Sequence, residues 1–234
     1  MISRLQEEIV LGPIDYVRLG RAVIVRPTIG TLRANRFPSQ AIVVTAVARK
    51  LIELVRAADK IQALVVEAGN EGPTKHPEFH QICENVRQLL DKHFPKALMC
   101  LVADATPLDS PNLRHALTFF DQTILRLDAG TQKTWAALTG SNPKQFKGVV
   151  ESLGRLGAER LIVQTRFVRG EVDNSNETEV KAWITKLTEI RPAGVHISTP
   201  AKAKGKKEMP ISKSRMSQIA ELVTTKTGIP VEVL

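Results

Sequence analysis

Short apolar runs alternate with amphipathic segments along the chain. Strand patterns fall at Ala22–Val25, Ile61–Glu67, Ala97–Val102, Thr123–Leu127, Leu161–Phe167, Val195–Ser198 and Val231–Leu234. Several are nearly continuous in aliphatic and β-branched side chains, as buried parallel strands are. Helical spacing fills the intervals. Gln40–Ala58 carries Ile42, Val43, Ala46, Val47, Leu51, Leu54 and Val55 at that spacing. Glu78–His93 follows Pro77, which suits a first turn. Pro111–Phe119, Pro143–Leu156, Glu177–Ile190 and Ser212–Thr227 complete the predicted helices. Asn176 and Ser212 read as N-caps. Gly157 and Gly228 stand where helix ends want a left-handed residue.

The β–α unit recurs every ~25–40 residues, which predicts a mainly parallel sheet with right-handed crossovers. About six or seven such units are too few to close an eight-stranded barrel. The predicted fold is therefore α/β: a partial (β/α)6-type open barrel with mainly parallel strands. No linker composition divides it, so residues 1–234 are expected to form one domain.

Ligands of such folds sit at the C-terminal ends of the strands. That rule selects Gly69–His76, Asp104–Leu108, Asp128–Thr131, Arg169–Asn174 and Ser198–Lys207. The candidate cofactor-binding residues are Gly69, Asn70, Glu71, Gly72, Pro73, Thr74, Asp104, Asp128, Gln164 and Ser198. Gly69, Asp104, Asp128, Gln164 and Ser198 are expected to face one mouth. The glycines of Gly69–Thr74 would let backbone N–H groups approach a ligand; a plain strand-to-helix turn reads equally well. Asp128 either orients a ribose or base, or caps its own loop. Arg166 and Arg169 either clamp an anion or form surface ion pairs.

Charge narrows the partners. The chain has 33 Lys and Arg against 24 Asp and Glu, a net charge of +9. Much of the excess lies between Pro200 and Arg215, where Lys202, Lys204, Lys206, Lys207, Lys213 and Arg215 face only Glu208. Such a run meets RNA phosphates or an anionic substrate, or is a solvated loop. It contains no aromatic residue to stack a base, which favours the loop.

Cys83 and Cys100 are too few for a disulfide framework or a cysteine-only metal site, and read as buried thiols. His76 and His80, four apart around Glu78, are a candidate metal pair, though no metal is predicted. No apolar run of about 18 residues is present, and the N-terminal segment has no apolar signal core. A cytoplasmic protein without a membrane span is expected. G-x-S-x-G, Walker A and dinucleotide fingerprints are absent from the sequence. An unrelated β/α-barrel enzyme using Asp128 and a lysine is one further reading.

Gly69-Asn70-Glu71-Gly72-Pro73-Thr74-Lys75-His76-Pro77-Glu78-Phe79 resembles the G-N-G-E-P-T-L-H-P-x-F segment of radical S-adenosylmethionine (SAM) proteins. The resemblance runs along nearly the whole chain. Gly12-Pro13-Ile14 with Arg18-Leu19-Gly20-Arg21 is similar to the entry segment of an iron–sulfur oxidoreductase subfamily. Asp121 to Leu127-Asp128-Ala129-Gly130-Thr131 is similar to its D-x-x-x-x-L-D-A-G strand end. Val163-Gln164-Thr165 with Asp173-Asn174-Ser175, Ile197-Ser198-Thr199, and Thr227 to Val233 resemble its last units.

The resemblance implies a [4Fe–4S] cluster on a Cys-x3-Cys-x2-Cys loop after the first strand. That cluster would hold SAM and cleave it to a 5′-deoxyadenosyl radical. It also implies that the Gly69–Thr74 loop receives the SAM amino group. This chain departs from the pattern. Arg26 to Arg36 contains no cysteine, the order is Glu71-Gly72-Pro73 rather than Gly-Glu-Pro, and Asp104 stands where relatives place an asparagine. The resulting expectation is a pseudoenzyme: a radical-SAM-like binding protein with no cofactor as written. Its partners would be a SAM-like small molecule or an intact radical SAM protein. The alternatives are a radical SAM oxidoreductase whose cluster loop is deleted from this chain, and an RNA-binding protein using the basic segment.

Overall fold

The computed structural model describes residues 7–29, 37–105, 110–156, 159–203, 205 and 208–234. Gly30–Arg36, Leu108, Gly157, Lys204, Lys206 and Lys207 therefore lie outside the described residues. The chain forms two compact units: Met1–Ala103 with Asp109–Thr123, and Asp104–Leu108 with Ile124–Leu234.

The first unit holds strands β1 (Val10–Tyr16), β2 (Gly20–Val25), β3 (Ala63–Val66) and β4 (Leu98–Asp104), paired in that order. Asp104, the last residue of β4, belongs to the second unit. β2, β3 and β4 are parallel: Val25 lies beside Val66, and Val66 beside Leu101. β1 is an antiparallel edge strand that the sequence reading missed. Its Val-Leu-Gly-Pro-Ile-Asp-Tyr carries a Gly-Pro pair that reads as a turn, and the register does shift between Leu11 and Ile14.

Helices α1 (Gln40–Arg56) and α2 (Phe79–His93) cross between these strands, and α3 (Pro111–Leu117) follows β4. α1 buries Val43, Ala46, Val47, Leu51 and Leu54, a stripe at helical spacing. Ile42 and Val55 fall on its outer side and are 38% and 47% exposed.

The second unit holds β5 (Gln122–Arg126), whose first two residues lie in the first unit, then β6 (Leu161–Arg166), β7 (Gly194–Ser198) and β8 (Val231–Val233). β6, β7 and β8 are parallel. Around them lie α4 (Gln132–Thr139), α5 (Phe146–Arg155), α6 (Glu177–Ile190) and α7 (Lys213–Thr227). The predicted caps form: Asn176 Oδ1 accepts from the Glu179 N–H at 3.0 Å, and Ser212 Oγ from that of Arg215 at 3.1 Å. Gly228 closes α7 in the left-handed conformation at φ 71°.

The sequence reading missed α4, although it has its own signals in the Thr131 cap and the left-handed Gly140. The predicted Pro143–Leu156 helix divides into a 3-10 turn, Pro143–Gln145, and α5.

Candidate functional site

In the first unit, the chain leaves β2 through Arg26-Pro27-Thr28 and meets the loop that leaves β3. Glu67, at the root of that loop, accepts from Arg26 Nε at 2.9 Å and Arg26 Nη2 at 2.6 Å, and from the Tyr16 hydroxyl at 3.2 Å. Burial, then the neighbouring Glu67 carboxylate, holds the Tyr16 phenol well above its ordinary pKa.

The Thr28 side chain is fully buried. Its oxygen accepts from the Gly69 N–H at 3.1 Å and its hydroxyl donates to the Glu71 carbonyl. The Thr28 carbonyl accepts from the Asn70 N–H at 3.1 Å. A side chain on Gly69 would come within 2.6 Å of the Ile29 nitrogen, so only glycine fits this approach. Pro73 opens a 3-10 turn, Gly72 is open to its surroundings, and the Glu71 carboxylate pairs with Lys75 at 2.5 Å.

His76 is buried, and both of its ring nitrogens are committed. Nδ1 accepts from the Glu78 N–H at 3.0 Å, so Nε2 is the donor to the Pro38 carbonyl at 2.8 Å. His76 therefore belongs to a structural turn and offers no lone pair to a metal. His80 instead stacks on His115, with ring centroids 4.7 Å apart. Among the described residues no group of three or more His, Cys, Asp or Glu side chains is placed to hold a metal ion.

In the second unit, burial alternates along the ends of β6 and β7, and register turns that alternation into rows. Gln164 lies beside His196, and His196 beside Glu232. One step further along, Arg166 lies beside Ser198. The Leu127 N–H donates to the Gln164 carbonyl at 2.9 Å, which sets Arg126 level with Gln164 and Asp128 level with Arg166. The intervening Val163, Thr165, Val195 and Ile197 are fully buried on the opposite face. Two polar rows thus cross one face of this sheet near the strand ends.

Ion pairs thread the rows. Arg126 reaches Asp104 at 2.5 Å and Asp128 at 3.3 Å, Arg166 reaches Glu208 at 3.0 Å, and His196 Nε2 lies 3.5 Å from Glu232. Asp128 Oδ1 also accepts from the Arg166 N–H at 2.7 Å. Burial raises the Asp128 carboxyl from 3.8 to about 6, against the pull of that hydrogen bond and of both arginines. Gln164 and Ser198 side chains form no hydrogen bond among the described residues, and both are half-buried.

Three polar side chains fix this end of the unit. Asn174 is buried, donates to the Asp128 and Arg166 carbonyls at 2.7 and 2.9 Å, and accepts from the Val168 N–H at 2.7 Å. Glu179, from the first turn of α6, accepts from the Gly130 and Thr131 N–H groups at 2.7 and 2.9 Å and from both the Thr131 and Thr134 hydroxyls at 3.0 Å. Thr199 donates to the Phe167 carbonyl at 2.9 Å and accepts from the Ile211 N–H at 3.0 Å, closing the stem of the basic loop. Arg169 pairs its backbone with Met209 in an isolated bridge at that stem.

Of the predicted residues, the second unit brings Asp104, Asp128, Gln164 and Ser198 to neighbouring strand ends. Gly69–Thr74 lies in the first unit. Thr28, Glu179 and the His196–Glu232 pair were not foreseen.

No family model and no curated protein matches the chain. Solved structures do. SuiB from Streptococcus suis is 12% identical, with a TM-score of 0.58 over 80% of this chain and 43% of SuiB. A second SuiB structure, bound to S-adenosylmethionine, gives a TM-score of 0.59. A radical SAM methyltransferase from Sphaerobacter thermophilus is 13% identical, with a TM-score of 0.58 over 85% of this chain and 58% of that one. A domain of pyruvate-formate lyase-activating enzyme from Bacteroides vulgatus is 13% identical, with a TM-score of 0.52 over 73% of this chain and 97% of that one. The fold is thus the mainly parallel α/β partial barrel of radical SAM enzymes, as the sequence predicts. The chain spans less than half the length of SuiB. Among the described residues no helix is long and apolar enough to cross a membrane.

Proposed function

We propose that this chain is a radical-SAM-like protein that acts by binding and does not cleave SAM. The fate of its thiols carries this reading. A [4Fe–4S] cluster needs thiolates, and the chain has two cysteines, neither between Arg26 and Arg36. Cys83 lies in α2 and Cys100 in β4; both are buried. Burial pushes the Cys83 thiol well up and the Cys100 thiol to about 12, so both stay protonated. These residues do not fit the cluster.

The second support is the Gly69–Glu71 loop. Three of its backbone groups, the Gly69 and Asn70 N–H and the Glu71 carbonyl, are taken by Thr28. Ligand contact then falls to the strand ends of the second unit, where Gln164 and Ser198 supply hydrogen-bonding groups that are uncommitted among the described residues. An adenosine-containing, SAM-like small molecule is the ligand class, supported by the SAM-bound SuiB structure. An intact radical SAM protein is the corresponding macromolecular partner.

Equilibrium dialysis with SAM, beside an anaerobic assay for 5′-deoxyadenosine under a strong reductant, tests this. Binding without 5′-deoxyadenosine is expected; its formation above the protein-free level contradicts the reading. A deleted cluster loop is the second reading, favoured by the resemblance on both flanks of Arg26–Arg36. Inserting a Cys-x3-Cys-x2-Cys segment there would restore SAM cleavage under that reading alone. RNA binding through the lysine loop is the third, and predicts a salt-sensitive RNA affinity lost when Lys204, Lys206 and Lys207 become Glu.

A further inference from the structure

The outer helical layer of the second unit carries a groove of about 1090 Å³ between α6 and α7, reaching Gly154 of α5. It shares no residue with the polar rows at the strand ends. Its floor holds Val180, Ile184 and Ile190 of α6, which are 1%, 9% and 4% exposed, and its accessible apolar surface is Leu222 of α7, which is 40% exposed. The amphipathic pattern explains α6's inward stripe but leaves Leu222 facing outward, at a cost in exposed apolar area.

Charge at the groove is asymmetric. Glu177 lies 3.9 Å from Lys181, and Glu189 lies 2.7 Å from Lys186, so the acids near α6 have cations beside them. Arg191 and Lys226 also line the groove, and among the described residues neither is in an ion pair. Arg191 caps the C-terminus of α6, and Lys226 stands in the last turn of α7. The groove therefore joins an apolar floor to two uncommitted cations at the C-terminal ends of its two helices.

We propose that this groove docks an amphipathic helix of a protein partner, apolar on one face and acidic at one end. An apolar channel between two helices takes the apolar face of a third at i, i+3, i+4 and i+7 positions. Acidic side chains of the partner meet Arg191 and Lys226, and the chain's net charge of +9 steers acidic partners toward it. The inference concerns a different face from the strand-end site and stands independently of which ligand that site takes.

Fluorescence anisotropy with the full chain tests it. The probe is a labelled helical peptide of about 16 residues with leucines at the spacing above and glutamates in one terminal turn. Its control carries lysines in place of the glutamates. Micromolar binding of the acidic peptide is expected, with the lysine peptide at least about tenfold weaker. L222D should weaken the acidic peptide by about tenfold or more, and so should R191Q/K226Q. All three side chains are exposed, so unchanged thermal unfolding should accompany the loss. No binding, equal affinity for the two peptides, or indifference to L222D would overturn the proposal. Displacement of the peptide by a single-stranded RNA would overturn it as well, in favour of a polyanion.

Discussion

The hydroxyl of Thr28 donates to the carbonyl of Glu71, 43 positions along the chain, and ties the segment after β2 to the loop after β3. The same oxygen receives the Gly69 N–H. Thr28→Val should leave both backbone groups without their partner and cost about 1–3 kcal/mol. Thr28→Ser keeps the hydroxyl and should cost less. Urea unfolding of the two variants decides this; equal losses would mean that the methyl group, and not the hydrogen bonds, holds the loop.

Gly69 and Gly72 make an internal comparison. A Cβ at Gly69 meets backbone atoms of Ile29 and Thr28 at 2.6 and 2.8 Å, while one at Gly72 meets nothing within 4 Å. Gly69→Ala should destabilise by about 1–3 kcal/mol or more, and Gly72→Ala by a few tenths at most. Matching melting temperatures for the two would refute the close approach.

Asp128 should leave a signature in pH. Its folded pKa of about 6 lies above its ordinary 3.8, so between these values the folded state holds more protons than the unfolded. Its contribution to stability is greatest in acid and falls as pH rises from about 4 to 6, by on the order of 3 kcal/mol at most. Asp128→Asn can still accept from the Arg166 N–H but cannot ionise. The variant's stability relative to the parent should rise across that window and level off above it. A flat difference from pH 4.5 to 7.5 would count against a raised Asp128.

Glu179 gathers four donors from the segment that opens α4, and is only 5% exposed. Glu179→Ala should cost about 3 kcal/mol or more, because it strands the buried Gly130 N–H and the part-buried Thr131 N–H. Hydrogen exchange should quicken first at Gly130 and Thr131. A global loss without that local change would show that Glu179 acts elsewhere.

The parallel strands were legible because Ala22–Val25 and Ala63–Val66 are apolar runs bounded by polar residues. The stripe of α1 was legible from helical spacing, though spacing could not tell that Ile42 and Val55 lie on its outer side. β1 was hidden by Gly12-Pro13, whose turn-like composition masks an irregular edge strand. Asp128 was found because it follows a strand. Thr28, Glu179 and the His196–Glu232 pair were not, because each matters through a partner distant in sequence or on another strand. The polar rows had a signal in the period-two alternation of Val195 to Ser198, while Val163 to Arg166 shows no such alternation in sequence. Register alone brings those segments side by side.

Under the proposed reading this scaffold carries no radical chemistry of its own, and iron decides it most directly. The purified chain would be reconstituted anaerobically with iron and sulfide, desalted, and assayed for both elements and for the visible absorption of a cluster. The account predicts iron and sulfide far below one cluster per chain and no cluster absorption, since Cys83 and Cys100 are buried thiols in α2 and β4. Four irons and four sulfides per chain with that absorption would contradict it.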